Sequence, residues 1–334
     1  MKIKATFLNI FALLICYFLI RYRNETPSIY LELIIFILSI YSLVKAADIF
    51  TELAVFVGSS FGLSKLATGT LIIAIGTSAP ELFASIGAAI QHQPDMVVGN
   101  ILGTVIANSL LGIGFAAMAA RRSLFVHKDV VGWKMSVFLV AILLALVGLY
   151  DGALVYYEGL LMLPLFFYYL FFIYKTNNEK SNTKIGKEVI SAIVLLAINL
   201  GVLFVSGDFV VSSLVESADL LDFSSAKLAT SILAVGTSIP EIATAIALVR
   251  QNNADSLFGE IIGSNIFDIL GILGFISLFG TLTMEVGLLL YLSISLVATF
   301  VIVSMIMHDK NINKIEGFSL VLLFSLFTIQ LVNI

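Results

Sequence analysis

Charge is what this chain lacks most. Only 12% of its residues are Asp, Glu, Lys or Arg, while 60% are hydrophobic. A soluble domain carries about twice that charged share. With a mean hydropathy of +1.07, a water-soluble globule is excluded and a polytopic membrane protein is expected. Cysteine is almost missing. Cys16 stands alone, which rules out an intrachain disulfide and a cysteine-built metal cluster. The three histidines, His92, His127 and His308, fall at expected segment ends or loops, which argues against a histidine metal site. No basic stretch interleaved with aromatics suggests nucleic acid. The short alternating strands of a membrane barrel are also absent. The apolar runs are about 20 residues long, so the spans are helices.

What is present is an ordered series of such runs. Spans are expected at about 29–50, 66–90, 96–118, 135–150 and 153–174, and again at about 189–210, 225–250, 256–279, 284–307 and 317–334. That is a five-helix unit over 29–174 and a second over 189–334. The polar, lysine-rich linker 175–188 between them is too short for a soluble domain. Residues 1–28 add an extra N-terminal hydrophobic segment. Lys2 and Lys4 resemble the start of a signal peptide, but no small-x-small cleavage site follows, so an uncleaved helix is expected.

Residues 76–81 read GTSAPE and residues 236–241 read GTSIPE. At a fixed offset of 160, without gaps, 14 of the 39 positions from 76–114 match 236–274. The matches include Gly76/Gly236, Pro80/Pro240, Glu81/Glu241, Gly103/Gly263 and Gly114/Gly274. Asp48 and Asp208 share the offset and are read as structural or interfacial. Shared apolar residues would mean little, but glycines, prolines and acids in register mark a duplication. Five spans per copy is an odd number, so the second copy enters the membrane from the opposite face. This is an inverted-topology repeat, an arrangement that puts an ion site near the midplane. Basic residues agree with it. If the span at 29–50 begins outside, then Lys65, Arg121, Arg122, Lys128, Lys134, the linker lysines, Arg250, Lys310 and Lys314 all lie inside, as the positive-inside rule requires. Lys227 is the exception among the other core loops, and Arg21 and Arg23 run against the rule.

Pro80 and Pro240 lack an N–H and crowd the preceding turn, so breaks are expected near Gly76–Thr77 and Gly236–Thr237. Freed carbonyls in a bilayer need partners, and a cation is one. Each break offers a carboxylate (Glu81, Glu241), hydroxyls (Thr77, Ser78, Thr237, Ser238) and carbonyls, the all-oxygen shell that hard cations such as Ca²⁺ and Na⁺ take. The following spans add Asn100, Thr104 and Asn108, and Glu260, Ser264 and Asp268. Steps of four hold each set on one face. Gly99, Gly103, Gly259 and Gly263 permit close helix approach. Acids placed in hydrocarbon mark ion pathways.

These residues resemble the sodium/calcium exchanger family of the cation/calcium exchanger superfamily, in its compact prokaryotic form. That family carries two inverted repeats with GTSxPE and GNxxGSNxxN/D signatures, and the resemblance covers everything after about residue 28. It implies that Glu81 and Glu241 are the main Ca²⁺ carboxylates, helped by the carbonyls of Thr77 and Thr237. It implies Na⁺ positions built from Thr77, Ser78, Thr104, Thr237, Ser238 and Ser264 with the carbonyls of Ala74 and Ala234. Asn108 and Asp268 complete the central site. Three positions depart from the pattern. Thr104 replaces Ser, Val105 stands where Asn is common, and Glu260 stands where Asn is usual. Glu260 is therefore a candidate coupling acid toward the cytoplasmic end of its span.

The expectation is an antiporter of the cell (inner) membrane, not an enzyme, exchanging Ca²⁺ for Na⁺ by alternating access. Neither a cofactor nor a protein partner is expected beyond the ions and the lipid bilayer. H⁺- or K⁺-coupled exchange stays open through Glu260. A Ca²⁺-permeable channel is a further alternative. An intramembrane aspartyl protease is disfavoured, because the midplane acids are mainly glutamates.

Overall fold

The computed structural model describes residues 2–23, 27–60, 76–120, 123–125, 128–176, 187–250, 254–309 and 311–334. Twelve helices carry the described chain: α1 (Lys2–Arg23), α2 (Ile29–Ser60), α3 (Ala79–Ile90), α4 (Pro94–Ala119), α5 (Lys128–Gly148), α6 (Tyr156–Thr176), α7 (Lys187–Leu221), α8 (Ser225–Thr237), α9 (Ile239–Arg250), α10 (254–276), α11 (Val286–Asp309) and α12 (Lys314–Asn333). Among the described residues, seven helices are long and apolar enough to cross a membrane. The pair α8 and α9 meets at a 41° bend, and parts of α3, α5 and α6 are shorter apolar helices. The polytopic helical architecture expected from composition is what the chain adopts. The expected span at 66–90 is described only from residue 76, and most of the linker, residues 177–186, lies outside the described residues.

The chain forms two compact units, Met1–Gln93 with Phe167–Ser225, and Pro94–Phe166 with Ala226–Ile334. Each draws on both halves of the sequence. In the first, α2 and α7 pack along each other, α3 packs on α7, and α1 lies against both long helices. The extra N-terminal segment is thus a folded helix. Glycine brings α3 and α7 together backbone to backbone: a Cβ on Gly207 would stand 2.3 Å from the Phe83 carbonyl oxygen. With no hydrophobic drive between helices in lipid, such contact supplies the packing. Polar ties add to it. Asn199 donates to Thr6 Oγ1 at 3.2 Å, and Arg23 meets the buried Glu32 at 3.3 Å and donates to Ser212 Oγ at 2.9 Å. That pairing gives the Arg23 charge a partner within the unit. Asp208 accepts from Gln91 at 2.7 Å and Asp48 pairs with Lys45 at 3.0 Å. Both are structural contacts.

The second unit is built on α4, which is buried without interruption from Met96 to Gly114. Against it pack α8, α9, α10, α11 and α12, and α5 packs on α10 and α11. Two antiparallel two-residue ladders close its loops, β1 (Leu124–Phe125) with β4 (Asn311–Ile312) and β2 (Ala153–Leu154) with β3 (Leu282–Thr283). A capping box at Asn313 and Glu316 opens α12.

Candidate cation site at the helix breaks

The second proline motif bends its helix, one residue later than the sequence suggests, and the first carries a turn at the same place, with the residues before 76 outside the described part. The turns fall at Ser78 and Ser238, and α3 and α9 restart at Ala79 and Ile239. The reason is that proline is welcome in the first turn of a helix, where an N–H has no partner anyway. Pro80 and Pro240 each become the second residue of a new helix rather than the point of rupture.

In the first unit, Ser78 and Glu81 are fully buried and Thr77 is 8% exposed. Among the described residues, Ser78 Oγ makes no hydrogen bond. Gly76 admits this turn, since a Cβ there would overlap Thr51. Ala74, expected to lend its carbonyl, lies outside the described residues.

The second unit gathers more of the expected set. Thr104, Asn108, Thr237, Ser238, Glu241, Ser264 and Asp268 are all fully buried. They stand on α4, α8, α9 and α10; α4 and α9 each pack on α10 and on each other, and α8 packs on α4. Among the described residues, Thr104 Oγ1 and both polar atoms of Asn108 have no hydrogen-bond partner. The bend itself is held locally. The Ala234 carbonyl accepts from Ser238 N at 3.1 Å and Ser238 Oγ at 2.7 Å, and from Thr237 Oγ1 at 3.3 Å. Ser264 Oγ donates to the Ile261 carbonyl at 3.1 Å. Among the described residues no three His, Cys, Asp or Glu side chains form a metal cluster. The donors are few carboxylates mixed with hydroxyl, amide and carbonyl oxygens, which suits hard cations.

Three π-helical turns sit at these places, none foreseen from sequence: Asn108–Gly112 in α4, Ala229–Leu233 in α8 and Phe267–Leu273 in α10. Asn108 opens the first and Asp268 lies in the third. A π turn widens the helix and shifts the hydrogen-bond register, and such turns concentrate at functional sites. The α8 turn fits into the glycine face of α4. A Cβ on Gly103 would stand 2.3 Å from the Thr230 carbonyl oxygen, and one on Gly99 would stand 2.7 Å from Thr230 Oγ1.

Sequence reading also passed over a buried tie between α4 and α10, in which Asn265 Nδ2 donates to Ser109 Oγ at 2.9 Å. The available signal was the mismatch of Val105 with Asn265 at the repeat offset. Only one copy keeps this amide. Glu260 lies one turn before Ser264 on α10, with both carboxylate oxygens shut from solvent and, among the described residues, without a hydrogen-bond partner.

The family model described as sodium/calcium exchanger protein matches residues 31–175 and 191–332. The chain belongs to the sodium/calcium exchanger family. The exchanger is 33% identical over 251 residues to the inner membrane protein YrbG of Escherichia coli K12, covering 71% of this chain and 77% of that protein. To the sodium/calcium exchanger MaX1 of Methanosarcina acetivorans it is 26% identical over 343 residues, covering 89% and 97%. Its structure is similar to that of the sodium-calcium exchanger NCX_Mj soaked with Na⁺ and Sr²⁺, at 27% identity and a TM-score of 0.61, covering 90% of this chain and 98% of that one. It is a compact, prokaryotic-type member, an integral membrane protein and a cation/calcium exchanger.

Proposed function

We propose that the protein is a secondary active antiporter of the cell's inner membrane, exchanging Ca²⁺ for Na⁺ by alternating access. The observation that carries this reading is a set of fully buried carboxylates placed beside proline-marked turns in a chain of the exchanger family. Glu81 and Glu241 supply the Ca²⁺ carboxylates, with the carbonyls of Thr77 and Thr237. The hydroxyls of Thr77, Ser78, Thr104, Thr237, Ser238 and Ser264, with the carbonyls of Ala74 and Ala234, serve Na⁺. Asn108 and Asp268 complete the donor set. The unpaired oxygens of Asn108, Thr104 and Ser78 fit this role, because a buried polar atom without a partner is costly and a cation relieves it.

Burial also supplies the coupling. A carboxylate removed from water is stable only when its charge is compensated. Ca²⁺ or Na⁺ adds to that compensation, so a loaded carrier occludes and switches sides more readily than an empty one. Two ions competing for overlapping oxygens then exchange rather than leak together.

Glu260 favours one second reading, in which H⁺ or K⁺ is the coupling ion. Uptake of Ca²⁺ into Na⁺-loaded proteoliposomes diluted into Na⁺-free medium separates the two. Na⁺/Ca²⁺ exchange gives uptake that needs the Na⁺ gradient and collapses with a Na⁺ ionophore. Uptake driven only by a pH or K⁺ gradient would transfer the coupling role away from Na⁺. Glu81→Gln and Glu241→Gln should each abolish Ca²⁺ uptake while the purified protein stays folded. Coupled uptake retained by both variants would refute the ligand assignment.

A further inference from the structure

The residue before Glu260 is where a neighbouring helix delivers a cation. Lys134 lies near the start of α5, and α5 packs on α10. A lysine at the end of a span ordinarily snorkels toward the headgroups. This one points into the protein. Its Nζ lies 3.5 Å from the Gly259 carbonyl oxygen, and a Cβ on Gly259 would stand 3.0 Å from that Nζ. Glycine is thus what leaves the ammonium its resting place. The next residue, Glu260, holds a carboxylate whose two oxygens are closed to solvent and, among the described residues, accept no hydrogen bond. The basic residues that flank α5 and precede α10 place both side chains at the cytoplasmic end.

We propose that Lys134 is a tethered counter-cation for Glu260. The ammonium moves from the Gly259 carbonyl onto the carboxylate when no transported cation occupies the cytoplasmic path, and gives way when one enters. A buried charge left alone is strongly unfavourable, while a pair removed together is tolerated. Intramembrane ionisable residues accordingly pair with one another. A tethered ammonium keeps Glu260 neutralised without a bound ion and lowers the barrier to releasing the transported cation inward. Lys134 is a positioning residue in this scheme: it acts on the transported ion through Glu260. The inference rests on the exchanger reading, because it assumes a cation path at this end.

The test is a double-mutant cycle with two readouts. In sided proteoliposomes, Lys134→Met should tighten the apparent cytoplasmic affinity for Ca²⁺ and slow turnover. Glu260→Gln should weaken that affinity, because the ammonium then stands uncompensated. Each change should be about tenfold, mid-range for coupled charges, with the extracellular affinity unmoved. Lys134→Met/Glu260→Gln should return close to the parent value. In ion-free purified protein, each single variant should lower the thermal midpoint and the double variant should recover it. Additive thermal shifts, or single variants that move affinity in the same direction, overturn the pairing. If the parent protein carries no Ca²⁺ at all, the exchanger reading fails, and the thermal cycle still decides whether the pair exists.

Discussion

Asn108 is a poor residue for stability at its position. It is fully buried in the middle of the most buried helix of its unit, and neither its amide oxygen nor its amide nitrogen has a hydrogen-bond partner. A leucine would fill a similar volume with no polar atom to satisfy. Asn108→Leu should therefore raise stability by about 1–3 kcal/mol, the cost of an unmade buried hydrogen bond, seen as a higher thermal midpoint. The same variant should lose Ca²⁺ transport, because the oxygen that a cation would use is gone. A variant that is both less stable and transport-competent would contradict the assignment. The contrast is Asn265, whose amide nitrogen donates to Ser109 although its amide oxygen is as bare as that of Asn108 among the described residues. Asn265→Ala should cost about 1 kcal/mol, because it leaves the serine hydroxyl without its donor. Such a trade of stability against activity is usual where a site needs polar atoms held ready.

At the scale of the helix, glycines that look alike in sequence do different things. A Cβ on Gly103 would run into the Thr230 backbone, while a Cβ on Gly201 meets nothing within 4 Å. Gly103→Ala should force α4 and α8 apart and cost about 3 kcal/mol, the upper end for an overpacked core. Gly201→Ala should stabilise α7 by about 0.5–1 kcal/mol through helix propensity alone. Thermal midpoints of the two purified variants check both signs. Sequence could not tell these glycines apart, because the difference lies in what faces them. It did reveal the helical class and the bend at Ser238, since hydropathy and proline act locally. The helix bounds slipped where polarity and helicity part company: α7 runs to Leu221, beyond the expected 210, because Ser212, Ser213, Glu216 and Ser217 lower hydropathy without breaking a helix. The π turns were invisible. A register shift has no residue signature of its own and is set by what packs against the helix. Lys134 was read as a loop marker of sidedness, and only the packing of α5 on α10 shows its ammonium turned inward.

For the molecule as a whole, the open question is what α1 adds, since the family match begins at residue 31. Within its unit α1 is tied to α7 near one end by Thr6 and Asn199. Near the other, Arg23 ties it to α2 through Glu32 and to α7 through Ser212. Glu32 is fully buried and the Arg23 side chain is 16% exposed, so this pair is not a surface ornament of the kind that contributes little. Removing the arginine alone would strand a buried carboxylate. Arg23→Gln should therefore destabilise the protein by about 3–5 kcal/mol, the range for breaking one side of a buried pair. Arg23→Gln/Glu32→Gln should recover most of the loss, because a pair of neutral amides leaves no bare charge. Thermal unfolding of the two single variants and the double variant measures the cycle. If α1 only decorates the unit, the single variants will unfold with the parent protein. If it is part of the fold, Arg23→Gln will unfold early, and its α1 will become accessible to proteolysis before the rest of the chain. The second outcome is expected, because both ties join α1 to helices that pack along each other, and loosening one end exposes the buried face of α1 along its length.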